Sequence, residues 1–99
     1  MNNIQFKHLL VNLDEKICFL NNIEIKLTKT EFNLLVFLLS NRNKIYSRKE
    51  LMQHVWDPEI TVTGRAVDTT ISRLRKKLKE LGRHIITRLG FGYGFKEDI

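Results

Sequence analysis

The sequence predicts an α+β fold: an N-terminal antiparallel sheet within residues 5–27, three helices over about 29–41, 48–55 and 65–81, and a C-terminal β-hairpin over 85–96. Three observations carry this. Apolar and charged residues alternate in Ile23-Glu24-Ile25-Lys26-Leu27, the period of a strand with one buried face. Two capping boxes, Thr28…Glu31 and Ser47…Glu50, each open a segment of helical character. Near the C-terminus, Gly90-Phe91-Gly92 separates two short apolar runs, as a hairpin turn would. At 99 residues the chain has the length of one domain, taken as residues 1–99.

The strands come first. Phe6 to Asn12, Lys16 to Leu20 and Ile23 to Leu27 are rich in Ile, Leu, Val and Phe, with Asp14-Glu15 and Asn21-Asn22 between them. Asparagine tolerates positive φ, so Asn21-Asn22 suits a tight hairpin turn. The first helix, to about Asn41, is apolar nearly all round, which predicts a buried central helix. Asn43 just beyond it suits a left-handed terminus. The second helix presents Leu51, Met52, Val55 and Trp56 on its apolar side. Pro58 and Gly64 punctuate a loop from Trp56 to Gly64.

The third helix has the clearest pattern. Val67, Ile71, Leu74, Leu78 and Leu81 recur at helical spacing, and Gly82 reads as its stop. The opposite face carries Arg65, Thr69, Ser72, Arg73, Lys76 and Glu80. Strands from Ile85 to Leu89 and Tyr93 to Lys96 follow.

Composition bounds the function. A hydrophobic content of 42% fits a folded globule. The longest apolar run, Leu34 to Leu39, falls far short of a membrane span, and the N-terminus lacks the pattern of a secretory signal; a cytoplasmic protein is expected. Cys18 is the only cysteine, read as a small buried strand residue. The net charge of +6 is localised: residues 65–88 hold eight cations against Asp68 and Glu80, and the remainder is neutral. A basic stripe on a neutral body is the footprint of a polyanion binder, although a solvated Lys-rich helix face gives a similar pattern.

The outer face of the third helix decides between these. Arginine can grip guanine through two parallel hydrogen bonds, and Thr or Ser can meet a base edge or a thymine methyl. A purely electrostatic binder would carry Lys throughout. The apolar stripe anchors the inner face, and a hairpin behind the helix makes a wing able to reach phosphate or minor groove.

Seven motifs in order, Leu27-Thr28-Lys29-Thr30-Glu31-Phe32, Ser47-Arg48-Lys49-Glu50-Leu51, Val55-Trp56, Arg65-Ala66-Val67-Asp68, Ile71-Ser72-Arg73-Leu74-Arg75-Lys76-Lys77-Leu78, Ile85-Ile86-Thr87 and Gly90-Phe91-Gly92-Tyr93, resemble the effector domain of OmpR/PhoB-type response regulators. The resemblance spans nearly the whole chain. It implies a winged helix-turn-helix that binds double-stranded DNA sequence-specifically in a two-component, phosphorelay-type system. The helix at 65–81 would lie in the major groove and the wing at 85–96 on adjacent backbone or minor groove. The resemblance also implies roles: Arg73 as main base reader; Arg65, Thr69, Thr70, Ser72 and Lys76 lining the groove or its phosphates; and Arg48, Trp56, Thr87 and Tyr93 at the DNA backbone. Asp57 and Glu59 fall in a loop that relatives present to RNA polymerase. Other partners it implies are a receiver domain of the same regulator and a second copy on direct-repeat promoter sites.

Structural roles compete with several of these. Trp56 and Tyr93 also read as core packing, Asp68 as a favourable charge in the first turns of its helix, Arg75 as a partner for Asp68 or Glu31, and Lys77 and Lys79 as solvating charges. Ala66 and Ser72 stand where many relatives carry larger polar residues, and Asn43 where glycine is usual. In the wing, the family's apolar–arginine order is exchanged for Arg88-Leu89. Strand neighbours face opposite ways, so Arg88 turns from the usual direction unless a bulge near Gly90 restores it; the bulge is the expectation.

Catalysis has no support in the sequence. His8, His54 and His84 are far apart, none has ligand spacing to another His or to Cys18, and Gly90-Phe91-Gly92 leads into a strand, unlike a phosphate loop. No metal, cofactor or enzymatic activity is expected. The competing readings are a protein-interaction module of the same fold and a non-specific nucleic-acid binder.

Overall fold

The computed structural model describes residues 2–99. Four strands, β1 (Asn3–Phe6), β2 (Leu9–Asn12), β3 (Ile17–Leu20) and β4 (Ile23–Ile25), form one antiparallel sheet in chain order. Helices α1 (Lys29–Ser40), α2 (Arg48–Val55) and α3 (Gly64–Lys77) follow, then a 3-10 helix over Lys79–His84 and a hairpin of β5 (Ile85–Arg88) and β6 (Gly92–Phe95). This is a winged helix-turn-helix with an N-terminal antiparallel sheet.

Local chemistry explains the sheet. The β3–β4 turn puts Asn21 at φ 52° and Asn22 at φ 65°, the two consecutive positive values that a tight hairpin of this twist requires. At the β2–β3 turn the Asn12 side chain accepts from the amides of Asp14 and Glu15. The segment from Phe6 to Asn12, expected as one strand, is instead the end of β1, a turn and β2. Phe6 pairs with Leu9, and Lys7 makes the turn at φ 52° with no Gly, Asn, Asp or Pro to mark it. The inner face pairs Leu9 with Leu20 and Val11 with Cys18, all four buried. Burial pushes the Cys18 thiol up to about 11, so it stays an uncharged core residue at neutral pH.

Both capping boxes form. Thr28 Oγ1 accepts from the Glu31 amide while Glu31 returns a carboxylate oxygen to the Thr28 amide, and Ser47 and Glu50 repeat the exchange. Helix α1 buries Phe32, Leu34, Leu35, Leu38 and Leu39 as the centre of the core, and Asn43 adopts φ 66° just past its end. Leu51 and Val55 anchor α2; Met52 and Trp56 are half-buried against the same core.

Helix α3 is shorter than its apolar stripe predicts. All five stripe residues are buried, but the α-helix ends at Lys77, Lys79 turns left-handed at φ 55°, and Leu81 reaches the core from the 3-10 helix. Gly82 is not the stop. It sits where an added Cβ would lie 2.2 Å from the Arg75 carbonyl oxygen, so its role is to let the 3-10 helix press on the end of α3. The start also differs: Thr63, unmarked in the sequence reading, caps α3 by accepting from the Ala66 amide.

The hairpin is fastened at its base. Phe95 packs edge-to-face on Phe6, with ring centroids 4.9 Å apart, joining it to the first sheet. His84 is buried between them; its Nδ1 donates to the Lys96 carbonyl at 2.7 Å, which fixes the tautomer and leaves Nε2 to accept from Lys7 Nζ at 3.4 Å. Along its other edge β6 exchanges backbone hydrogen bonds with Tyr46. Gly92 and Gly94 face that segment, where added Cβ atoms would lie 1.9 Å from the Tyr46 carbonyl oxygen and 2.1 Å from that of Lys44.

Candidate nucleic-acid interface

Helix α3 presents two faces of opposite character. Val67, Ile71 and Leu74 are buried, while Arg65, Thr69, Ser72, Arg73 and Lys76 are exposed within about 100° of arc. Among the described residues, no side-chain hydrogen bond or ion pair occupies Arg65, Arg73 or Lys76, so these charges remain available to a partner. Thr69 and Thr70 donate their hydroxyls back to the carbonyls of Arg65 and Ala66, at 3.0 and 2.9 Å. Each hydroxyl can still accept, but its proton is occupied. Thr70 is half-buried at the margin of the free face.

Residues expected at the DNA backbone are held in an internal network. Arg48 at the start of α2 places Nε 3.0 Å from Asp68 Oδ1 and Nη2 2.6 Å from Oδ2, a bidentate pair. Tyr93 of β6 is buried and donates its hydroxyl proton to Asp68 Oδ1. Burial, then the hydrogen bond and charge of Asp68, raise the Tyr93 phenol, so it stays protonated. Asp68 therefore ties α2, α3 and β6 together, more than a charge favourable to the helix start. Tyr93 is part of this joint rather than of the free surface. Arg48 keeps Nη1 outside the pair, with a side chain 55% exposed.

A second joint lies about two helical turns further on. Arg75 is bound neither to Asp68 nor to Glu31. Its Nε donates to the Ile85 carbonyl at 2.8 Å and its Nη2 to Thr87 Oγ1 at 2.7 Å, with the guanidinium over the Tyr93 ring. This fastens the hairpin to α3 and occupies one lone pair of the Thr87 hydroxyl. Lys77 is likewise more than a solvating charge. It pairs with buried Glu31 at 2.6 Å, across 46 positions of sequence. Burial alone would raise the Glu31 carboxyl; the Lys77 ammonium and the Thr28 amide and hydroxyl outweigh it and hold the group below its ordinary value.

Trp56 is half-buried against the core, and Asp57, Pro58, Glu59 and Ile60 are exposed in the loop that follows. The wing differs from expectation. Its ladder stays in register from Ile85↔Phe95 to Arg88↔Gly92, without a bulge. The tip is the three-residue loop Leu89-Gly90-Phe91, closed by the Phe91 amide on the Arg88 carbonyl at 2.8 Å, with Gly90 at φ 83°. The unbroken alternation sends Thr87 toward α3 and Arg88, which is exposed, the opposite way. Leu89, 92% exposed, stands at the tip.

The family model described as "Transcriptional regulatory protein, C terminal" matches residues 22–95. The transcriptional regulatory protein SrrA of Staphylococcus aureus is 38% identical over 97 residues, which cover 94% of this chain and 40% of the relative. The chain thus spans about two-fifths of the length of the curated relatives it matches. Among solved structures, the DNA-binding domain of the response regulator AdeR in complex with an intercistronic region superposes with a TM-score of 0.83 at 30% identity, covering 94% of this chain and 98% of that one. Thermotoga maritima DrrB, an OmpR/PhoB homologue, gives 0.84 at 35% identity, covering 95% and 44%. The Klebsiella pneumoniae RstA DNA-binding domain in complex with the RstA box gives 0.83 at 28%, covering 98% and 99%.

Proposed function

The chain belongs to the family of transcriptional regulatory protein C-terminal domains, and from that premise we propose that it binds double-stranded DNA sequence-specifically to regulate transcription in a two-component system. The observation that carries this is the free face of α3: Arg65, Arg73 and Lys76, without intramolecular partners among the described residues, interleaved with Thr69 and Ser72, on a helix whose other side is locked into the core. Arginine among hydroxyls suits base reading in the major groove, where bidentate contacts to guanine and contacts to thymine methyls discriminate sequence. The DNA complexes of the similar AdeR and RstA domains support the same use of this fold.

Roles follow from position. Arg73 reads bases; Arg65, Thr69, Ser72 and Lys76 line the groove or its phosphates, with Thr70 at the margin. Arg48 offers its third guanidinium nitrogen to the DNA backbone, Trp56 its exposed edge and Thr87 its hydroxyl proton, which the Arg75 contact leaves free. Tyr93 serves by positioning Asp68 and Arg48. The exposed Asp57–Ile60 loop, with Asp57 and Glu59, is the candidate contact for RNA polymerase. Relatives more than twice as long support a receiver domain as a further partner, and a cytoplasmic setting with paired copies on direct repeats fits the same reading.

Selection of bound duplexes from a random pool tests this. A recovered consensus bound at least about a thousandfold more tightly than scrambled duplex is the expected result. Binding without a consensus, driven by salt-sensitive attraction alone, would assign the basic face to non-specific association.

A further inference from the structure

The tip of the wing is apolar and ringed by cations. Leu89 is 92% exposed and Phe91 72%, two positions apart on either side of Gly90. Around them, Arg48, Lys49 and Arg88 line a cleft of about 410 Å³ between the start of α2 and the hairpin, and all three are exposed. The tip is not a loose loop. The Phe91–Arg88 hydrogen bond closes it, the ladder behind it is unbroken, Gly92 lies against the Tyr46 backbone, and Thr87 is tied to Arg75 of α3.

This arrangement fits a narrow groove with anionic rims and less polar walls. The minor groove of duplex DNA is about 6 Å wide, lined by sugars and base edges and bordered by phosphates. Apolar side chains enter such grooves as wedges between base steps. Position favours the duplex over a protein partner: three residues of strand carry the tip about 10 Å beyond the Arg75–Thr87 joint, so one rigid body offers the α3 face and the tip together.

We propose that Leu89 and Phe91 form an apolar wedge for the minor groove beside the site read by α3, with Arg88, Arg48 and Lys49 at the flanking phosphates. The inference rests on the DNA-binding function proposed above. It gives the wing a preference of its own. Thymine–adenine steps unstack readily, and they lack the guanine amino group that projects into the minor groove. The wedge therefore favours a flank containing such a step over one of G·C pairs.

The test measures this chain on its selected duplex by fluorescence anisotropy across a salt series, with thymine–adenine or all-G·C flanks on the wing side. L89A/F91A is expected to weaken binding to the thymine–adenine flank by about tenfold, to abolish the preference between flanks, and to leave the salt slope unchanged. R88A is expected to lower the slope by about one. Thermal melting of L89A/F91A should match the parent, since both side chains are solvent-exposed. Equal binding of parent and L89A/F91A on both flanks, or an equal loss on both, overturns the wedge. So does unchanged DNA binding with lost self-association in sedimentation, which would assign the tip to a second copy. R73A separates the two readings. If the parent selects no sequence and R73A changes nothing, DNA reading itself fails; if R73A loses specificity while L89A/F91A does not, only the wedge fails.

Discussion

Asp68 receives Nε and Nη2 of the Arg48 guanidinium and the hydroxyl of Tyr93, so a single carboxylate on α3 holds α2 and the wing in fixed relation to the reading face. The Arg48 and Asp68 side chains are 55% and 34% exposed, so solvent screens the pair and its own contribution is small. The buried Tyr93 proton adds to it. Asp68→Asn is expected to lower stability by about 1 kcal/mol in urea unfolding.

The same substitution has a second effect, of opposite sign, on DNA. It removes an anion from the interface and frees Arg48 to seek phosphate. Affinity for scrambled duplex should rise while the ratio of cognate to scrambled binding falls. Anisotropy on the two duplexes checks this; a proportional loss on both would show that Asp68 serves the fold alone.

Arg73 stands at the centre of the free face, and its charge has no partner within the chain among the described residues. Arg73→Ala is expected to cost about 1–3 kcal/mol on the cognate site and to flatten preference at one base pair. Repeating the random-pool selection with the variant reads both; an unchanged motif at full affinity would remove Arg73 from the readers.

The inner face of α3 sets the precision of that reading. Ile71 and Leu74 are fully buried, and Ile71→Ala or Leu74→Ala should each destabilise by about 2–5 kcal/mol in chemical unfolding.

What the sequence revealed was what it encodes over a few residues. Thr28 and Glu31 are three positions apart, so their capping box is visible in the letters; so are the Asn21-Asn22 turn and the alternation of faces on α3. The turn at Lys7 and the left-handed Lys79 were not legible, because positive φ falls there on residues with no preference for it: Lys7 takes it in the two-residue β1–β2 turn and Lys79 past the end of α3. Long-range pairing was legible only in part. Asp68 and Glu31 stood out as acceptors, but their cations are Arg48 and Lys77, set 20 and 46 positions away. Arg75 lies beside the hairpin, which the helical wheel alone does not contain. The free face of α3 was readable from 100° per residue; that Tyr93 donates its hydroxyl to Asp68 and Thr87 accepts from Arg75 was not.

Glu31 gives the fold a dependence on acid. Its carboxyl is buried, and although burial raises it, the Lys77 ion pair and the Thr28 hydrogen bonds leave it below the ordinary 4.5. A carboxylate depressed in the folded state contributes stability that is fully present above the unfolded value and is lost as pH falls through the folded value. Parent stability relative to Glu31→Gln should therefore be constant near neutrality and shrink below about pH 4.5, as urea unfolding between pH 3 and 7 would read. At neutral pH, Lys77→Met should cost about 1–3 kcal/mol, since Glu31 then keeps a buried charge with only the Thr28 donors to stabilise it. The sign separates the two variants. Acid should narrow the gap between parent and Lys77→Met as well, because protonating Glu31 removes the charge that Lys77 neutralises. A gap that stays constant on acidification would mean that Glu31 is neutral in the folded protein at pH 7 and that the Lys77 contact is a plain hydrogen bond.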